Sequence, residues 1–542
     1  MLTAHQSGLI RGVDRPNWTG SMATNIGEQQ PTVHRVGDSL FVFHVLDERG
    51  ADGEALVYLP ASGAIEPLTA AQERYLLTST TEGHREPFEK VFDARFTTIP
   101  AEGWRFPEVP SNPDLTNVRS RTLVLNPTEQ CNIRCTYCYY GGAYDGTRIH
   151  QNLAPEASDL AAAIDSFLVN EQRVIDSQQA IYFFGGEPLL GFNKMQEVMG
   201  LIHDRKKRLG IDLPNLILQV NTNGMLLNER IMEFLVENDI YMNVSIDGPN
   251  HDLYRVDRRG KGTHDRVRAK VEWVAQNWPE YFANRVAIIC VLSQPLDTQR
   301  MYKYFAEWNV AHRALAWDFD LVLPGGSGSY DEFQKLFDEQ QKIWDLFIGA
   351  HNAPAAARDR SLRYHYAFSH GFLHRSFHRA LNQPVHDNPA AISHLLGVQL
   401  IPGSEYLVLG ADGTYYTSYE YQAENFAVGT AQDGPDYATG LNQLRGFADG
   451  VNSSSCTTCW AARMCTVTFP EAPFSPRDSD EATVQKAAAK VARCRSEREN
   501  LRNALNAIVA IRHRFGESPL NEHRADWVRQ QQEGATIAGF NR

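Results

Sequence analysis

Three cysteines fall within eight residues, Cys131, Cys135 and Cys138, spaced C-x3-C-x2-C just after a short apolar run at 122–126. Whatever fold the chain adopts must gather these thiols in one place. Three thiolates are one short of the four irons of a [4Fe–4S] cube, which leaves one iron open to a non-protein ligand. A zinc knuckle and three unrelated thiols are the alternatives at this point. Of eight cysteines, seven lie in two clusters, the second being Cys456, Cys459, Cys465 and Cys494. In a reducing compartment, clustered cysteines favour metal or catalytic chemistry over disulfides. The eighth, Cys290, sits in an apolar run at 285–292 and reads as an ordinary buried strand residue.

Between about 120 and 325, short β-branched runs alternate with helical patterns. Strands are expected at 122–126, 180–184, 216–221, 241–246, 286–292 and 315–323. A helix opened by Pro155 follows the first, with others at 194–208, 228–238, 264–277 and 298–308. Six strands separated by helices argue for a parallel, barrel-like α/β arrangement, because parallel neighbours need crossovers. The unusual motifs all fall at strand ends. The cysteine loop follows the first strand and Gly185-Gly186-Glu187-Pro188 the second. Asn221-Thr-Asn223-Gly224 ends the third, and Ser245-Ile-Asp247-Gly248-Pro249 the fourth. Parallel strands would open all four onto one face, where β/α barrels place their chemistry.

The flanks read differently. Strands are expected to pair at 39–45 and 55–59, followed by helical segments at 69–77 and 85–96. Pro107, Pro110 and Pro113 mark a linker. Residues 330–395 look helical. There His370, His374 and His378 share one face, and solvated or packing roles are preferred for them over a metal site. The net charge of −13 argues against nucleic-acid binding. No apolar run is long enough to span a bilayer, and residues 1–8 lack a basic-then-apolar signal pattern. The expected location is therefore cytoplasmic, with no membrane partner.

With Tyr137 before the third cysteine, the C-x3-C-x2-C motif resembles the signature of the radical SAM superfamily. The resemblance covers about 118–500. It implies a [4Fe–4S] cluster on Cys131, Cys135 and Cys138 whose open iron binds S-adenosylmethionine. Gly185, Gly186, Glu187 and Pro188 resemble the motif that engages the methionine ammonium. Ser245 and Arg255 match positions that meet the methionine carboxylate and ribose, although two residues are missing between Gly248 and His251. Asn223 and Asp247 are weaker candidates for the ribose side. Cys456, Cys459, Cys465 and Cys494 resemble the distal half of the auxiliary domain called SPASM, implying one auxiliary [4Fe–4S] cluster, with structural zinc as the rival. The proximal half is absent: Ser418 stands where a cysteine is expected, and Phe469 where another would lie. Tyr419 and Glu420 occupy the place of a catalytic base in sulfatase-maturing relatives, and either is a candidate to accept or relay a proton.

The expected fold class is α/β, a partial (β/α)6 radical SAM barrel with a small N-terminal α+β domain and a C-terminal SPASM-like auxiliary iron–sulfur domain. The divisions are 1–115, faintly resembling elements that recognise leader peptides; 116–328, the barrel; 329–396, a helical connector; 397–510, the auxiliary domain; and 511–542, a tail. The resemblance implies an enzyme that takes hydrogen from a precursor peptide or protein, with a carbon–carbon or thioether crosslink as the preferred outcome. Epimerisation is the next choice, and a non-catalytic Fe–S or zinc scaffold is the reading from another class. An electron donor such as ferredoxin or flavodoxin is the expected partner.

Overall fold

The computed structural model describes residues 32–36, 40–46, 52–59, 64–78, 120–141, 148–168, 179–209, 216–293, 295–314, 316–321, 406–418, 426–453, 455–465 and 482–518, with gaps at 142–147 and 463 and single residues elsewhere. All six expected barrel strands are present. They are β5 (Thr122–Leu125), β7 (Gln179–Phe183), β8 (Leu216–Thr222), β9 (Tyr241–Ser245), β11 (Val286–Leu292) and β12 (Ala316–Leu321). Each pairs in parallel with the next, in the order β5-β7-β8-β9-β11-β12.

Helices form the crossovers, and local chemistry sets their starts. Asn228 caps the helix Glu229–Glu237 by accepting from the Ile231 N–H at 3.1 Å. Asp297 does the same for Thr298–Glu307 through Arg300 at 2.9 Å. One face of the sheet packs on these helices. Leu123, Leu125, Ile181, Phe183, Val220, Val244 and Ile288 meet Leu160, Ile164, Met195, Leu235, Val271 and Phe305 in one continuous core. Burying each such side chain contributes about 1.5–3 kcal/mol. The opposite face divides in character. Val124, Tyr182, Val408, Tyr416 and Phe426 form an apolar and aromatic patch, whereas β8 and β9 present Gln219, Asn221 and Asn243 between their helix-facing neighbours.

The sheet extends further than the sequence pattern suggests. β13 (Tyr406–Leu409) pairs in parallel with the outer side of β5, so β5 is not an edge. β14 (Thr414–Tyr416), β15 (Ala427–Thr430) and β16 (Gly434–Pro435) then continue antiparallel, giving ten strands. The seventh parallel strand is only four residues long and far along the chain, which hides it from periodicity. A second unforeseen element is a ribbon of β6 (Ile133–Cys135) with β10 (Arg255–Asp257), antiparallel and separate from the main sheet.

The N-terminal sheet is larger than the sequence suggested. β2 (Leu40–Leu46) and β3 (Asp52–Leu59) pair as expected, but β1 (Thr32–Val36) and β4 (Ala64–Pro67) flank them in a four-stranded antiparallel sheet. β1 was hidden by its polar, His- and Arg-bearing pattern, and β4 by its proline. One helix, Ala70–Thr78, follows; the segment at 85–96 and the histidines 370, 374 and 378 lie outside the described residues. Tyr58 of this sheet meets Trp460 edge-on, with centroids 6.2 Å apart, and its hydroxyl donates to the Met464 sulfur at 3.7 Å. Among the described residues no helix is long and apolar enough to cross a membrane.

Two glycines give opposite expectations. A Cβ on Gly186 would lie 2.1 Å from the Gln130 carbonyl oxygen, whereas one on Gly200, in the helix Phe192–Leu209, meets nothing within 4 Å. Gly186→Ala should therefore destabilise by about 1–3 kcal/mol through overpacking, while Gly200→Ala should stabilise by about 0.5–1 kcal/mol. Urea unfolding of the two variants checks both signs.

Candidate functional site

The cysteine loop is laid down on the carboxyl end of the sheet by backbone bonds. The Phe184 N–H donates to the Leu125 carbonyl (2.9 Å), Gly186 to Thr128 (3.0 Å) and Glu187 to Gln130 (2.8 Å). Gly185, at φ +101°, turns the chain where a side chain would strike the Thr128 carbonyl. The glycines of this motif thus serve the cysteine loop itself. After Cys131 the chain enters the β6–β10 ribbon, and Arg134 and Arg258 both donate to the Cys131 carbonyl, at 2.8 Å each. A turn then closes with the Cys138 N–H on the Cys135 carbonyl at 3.2 Å.

The three thiols are within electrostatic reach of one another. Burial, reinforced by the Glu187 charge and by Cys135 and Cys138, pushes Cys131 up to about 12. Burial likewise pushes Cys135 up to about 12 and Cys138 above its ordinary value. Such thiols hold their protons until a cation displaces them. Among the described residues no three His, Cys, Asp or Glu side chains converge on a single-ion site; a cube spreads its ligands over several irons.

Beside the thiols lies a buried charged network. Arg255 stands opposite Cys135 in the β6–β10 register. Its Nε donates to Asp247 Oδ2 at 2.8 Å and its Nη1 to Cys135 Sγ at 3.7 Å. Burial opposes the Arg255 charge, but Asp247 and its neighbours hold its pKa well above the ordinary value. Asp247 Oδ2 also accepts from the Tyr137 hydroxyl, and Oδ1 from the Val291 N–H at 3.0 Å. Burial drives the Tyr137 phenol well above its usual range, and its ring lies 5.4 Å from the guanidinium carbon. His251, pushed down to about 4 by burial, accepts through Nδ1 from the Asp247 N–H at 3.1 Å. Its Nε2 lies 2.8 Å from Thr263 Oγ1, which donates to the Arg255 carbonyl.

Glu187 is buried between two strand ends. Its carboxylate accepts from Thr222 Oγ1 (2.7 Å), the Asn223 N–H (2.8 Å) and the Leu189 N–H (3.2 Å). It therefore ties the end of β7 to the end of β8 and caps the turn Pro188–Gly191. Burial pushes its pKa up to about 7 against those three bonds. Asn223 in turn donates to Cys131 Sγ at 3.7 Å and to Asn132 at 2.7 Å. Ser245 ends β9, half-buried and paired with Ile289 of β11.

Several contacts gave no sequence signal because their partners are distant in the chain. Asn126 Nδ2 and Gln422 Nε2 both donate to the Tyr140 hydroxyl, at 2.8 and 2.7 Å. Arg148 bridges Glu129 (Nε–Oε1, 2.9 Å) and Asp412, tying the cysteine loop to the β13–β14 turn. His251 and Thr263 carried only the His251-x3-Arg255 spacing as a hint.

In the second cluster Cys494, on the helix Ala482–Phe515, is pushed up to about 11 by burial and then by Cys456, with Cys459 adding to it. Those three are gathered, and the Cys459 N–H donates to the Cys456 carbonyl at 3.2 Å. Cys465 is half-buried in the same segment. Tyr419 and Glu420 lie outside the described residues.

The donor chemistry fits a cluster with a polar ligand beside it. Three thiols would suffice as the protein ligands of one such cluster. On the inner face of the sheet, Asn243 has both carboxamide ends without a partner, as do Asn221 Oδ1 and Gln219 Nε2. Asn221 and Asn243 are cross-strand neighbours. Buried polar atoms left unpaired are costly, and these suit a polar guest.

Residues 125–301 match the model of the radical SAM superfamily. An uncharacterized protein of Methanocaldococcus jannaschii is 34% identical over 140 residues, 26% of this chain and 43% of that one. A cysteine-type anaerobic sulfatase-maturating enzyme of Clostridium novyi is 25% identical over 192 residues, 35% of this chain and 48% of that one. The chain thus spans less than half the length of these curated relatives. Among solved structures, native anSMEcpe with bound AdoMet aligns over 73% of this chain and 100% of its own, with TM-score 0.50 and 18% identity.

Two stability predictions follow from the buried charges. Asp247→Ala strands the Arg255 guanidinium, whose side chain is 9% exposed, and should cost the metal-free protein about 3–5 kcal/mol in urea unfolding. Glu187 titrates near 7 when folded and, at its ordinary value, near 4.5 when unfolded. The unfolded chain therefore releases this proton first. Glu187 thus favours folding most below about pH 4.5, and that contribution drains away as pH rises to about 7. Glu187→Gln should remove this slope, read as unfolding free energy against pH.

Proposed function

We propose that the chain is a radical SAM enzyme that modifies a peptide or protein, a reading supported by the match of residues 125–301 to the radical SAM superfamily model. The reading is carried by Cys131, Cys135 and Cys138, within electrostatic reach of one another in the segment that follows β5, and by unpaired carboxamides on β8 and β9 of the same sheet. A [4Fe–4S] cluster and S-adenosylmethionine held there would supply radical chemistry, the removal of hydrogen from an unactivated carbon.

This chain's residues bind, orient and exclude water. The three cysteines hold the cluster. Gly185, Gly186 and Glu187 seat the cysteine loop through the contacts above, while Tyr137, Asp247 and Arg255 form a dry, charged wall beside it. Asn223, Ser245, Asn221 and Asn243 offer hydrogen-bonding groups to S-adenosylmethionine or substrate. A peptide or protein substrate is favoured by the sulfatase-maturating relative and by the N-terminal sheet, which a small-molecule enzyme would not need. The divisions at about 115, 328, 396 and 510 belong to this reading, with 1–115 as a candidate peptide-recognition unit.

The proposed product is a side-chain crosslink, carbon–carbon or thioether. Epimerisation calls for a hydrogen-atom donor on the inner face. Cys290 is unsuited to that, being fully buried on the helix-facing side with Met301 and Phe305. Cys456, Cys459, Cys465 and Cys494 would hold one auxiliary [4Fe–4S] cluster, which would supply a one-electron acceptor. Tyr419 or Glu420 is proposed to move the accompanying proton. A ferredoxin- or flavodoxin-type donor supplies the initial electron, and the cytoplasm is the proposed location.

Anaerobic reconstitution followed by incubation with S-adenosylmethionine and dithionite tests the reading. The wild-type chain should carry about eight irons, four per cube, and release 5′-deoxyadenosine. Cys135→Ala should abolish that release, while Cys494→Ala should retain it with about half the iron. A fully loaded chain that releases none, even with extracts of its own organism as a source of substrate, would contradict the proposal.

A further inference from the structure

The geometry points to Arg255 as the residue that sets the reduction potential of the cluster site at Cys131, Cys135 and Cys138, with Asp247 as the positioning residue that aims it. This rests on the cluster reading above and adds a role for the β6–β10 ribbon. The backbone delivers the charge: antiparallel pairing places Arg255 directly opposite Cys135. From there Nη1 donates to the ligand sulfur at 3.7 Å.

The guanidinium is held at two nitrogens and across one face. Its Nε is held by Asp247 Oδ2 at 2.8 Å. Asp247 is itself fixed through Oδ1 by the Val291 N–H at 3.0 Å. The Tyr137 ring lies beneath the guanidinium, and the Arg255 carbonyl accepts from Thr263 at 2.8 Å. With side chains 9% and 0% exposed, Arg255 and Asp247 are shielded from water, so their fields are screened much less than those of surface charges.

Reduction of the cluster by an external one-electron donor adds one negative charge and no proton. A cation hydrogen-bonded to a ligand sulfur stabilises that state, since potentials of such clusters follow net charge and hydrogen bonds to sulfur. Asp247 carries the opposite sign one bond farther from the sulfur and offsets part of the effect. Asn223, donating to Cys131 Sγ at 3.7 Å, is a neutral counterpart. The two charges therefore act in opposite directions on one measurable quantity, which a merely structural role would not produce.

The test is a potentiometric EPR titration of the reconstituted full chain, following the signal that responds to S-adenosylmethionine. Arg255→Gln should lower the reduced-to-oxidised ratio at the wild-type midpoint about tenfold, which is about 59 mV for one electron. Asp247→Asn should move the midpoint the other way, and Arg255→Lys should fall between wild type and Arg255→Gln. Midpoints that stay put, or that move in the same direction for Arg255→Gln and Asp247→Asn, overturn the assignment. If Arg255→Gln takes up no iron, Asp247→Asn decides by its upward shift or its absence. A wild-type chain without iron overturns the cluster reading as well; a loaded chain with unmoved midpoints overturns the role of Arg255 alone.

Discussion

The seating of the cysteine loop on Gly185 and Gly186 is the contact on which the rest of the site depends. Two N–H groups of the second strand's exit, Gly186 and Glu187, donate to the carbonyls of Thr128 and Gln130, and the absence of side chains lets the two segments touch. Everything at the site is referenced to that contact. Cys131 follows it by one residue, and Glu187 extends from it to the end of β8. The ribbon that begins at Ile133 brings Arg255 to Cys135. Losing the contact would release the thiols and the charged wall together.

Charge placement around the thiols is the second organising feature. One carboxylate, Glu187, is surrounded by neutral donors, and burial raises its pKa. Another, Asp247, is matched by a buried cation and fixed by a backbone N–H. Within one small region the chain thus keeps one group poised near neutrality and another committed to an ion pair. Buried ion pairs add little net stability but are expensive to break, so this pair is better understood as holding geometry than as stabilising the fold.

Much of the barrel was legible in the sequence because its signals are local. β-branched runs, helix caps and motifs at strand ends predict six parallel strands, and those strands form within a residue or two of the expected limits. The cysteine loop and the Gly185–Pro188 stretch were legible for the same reason. What escaped depends on pairing between distant segments: β13 against β5, β6 against β10, Gln422 against Tyr140, Arg148 against Asp412. Arg255 shows the boundary well. Its sequence position suggested a grip on a ligand, while its antiparallel partner, invisible to periodicity, also places it against a cysteine sulfur.

The central claim is that the site at the barrel's carboxyl end binds a cluster whose open iron takes the amino group of S-adenosylmethionine. Electron–nuclear double resonance on the reduced, reconstituted protein, with S-adenosylmethionine labelled with 15N at the methionine nitrogen, tests it most directly. A coupling from that nitrogen to the cluster spin, lost in Cys135→Ala, is the predicted result. A loaded, reducible cluster with no such coupling would contradict the account.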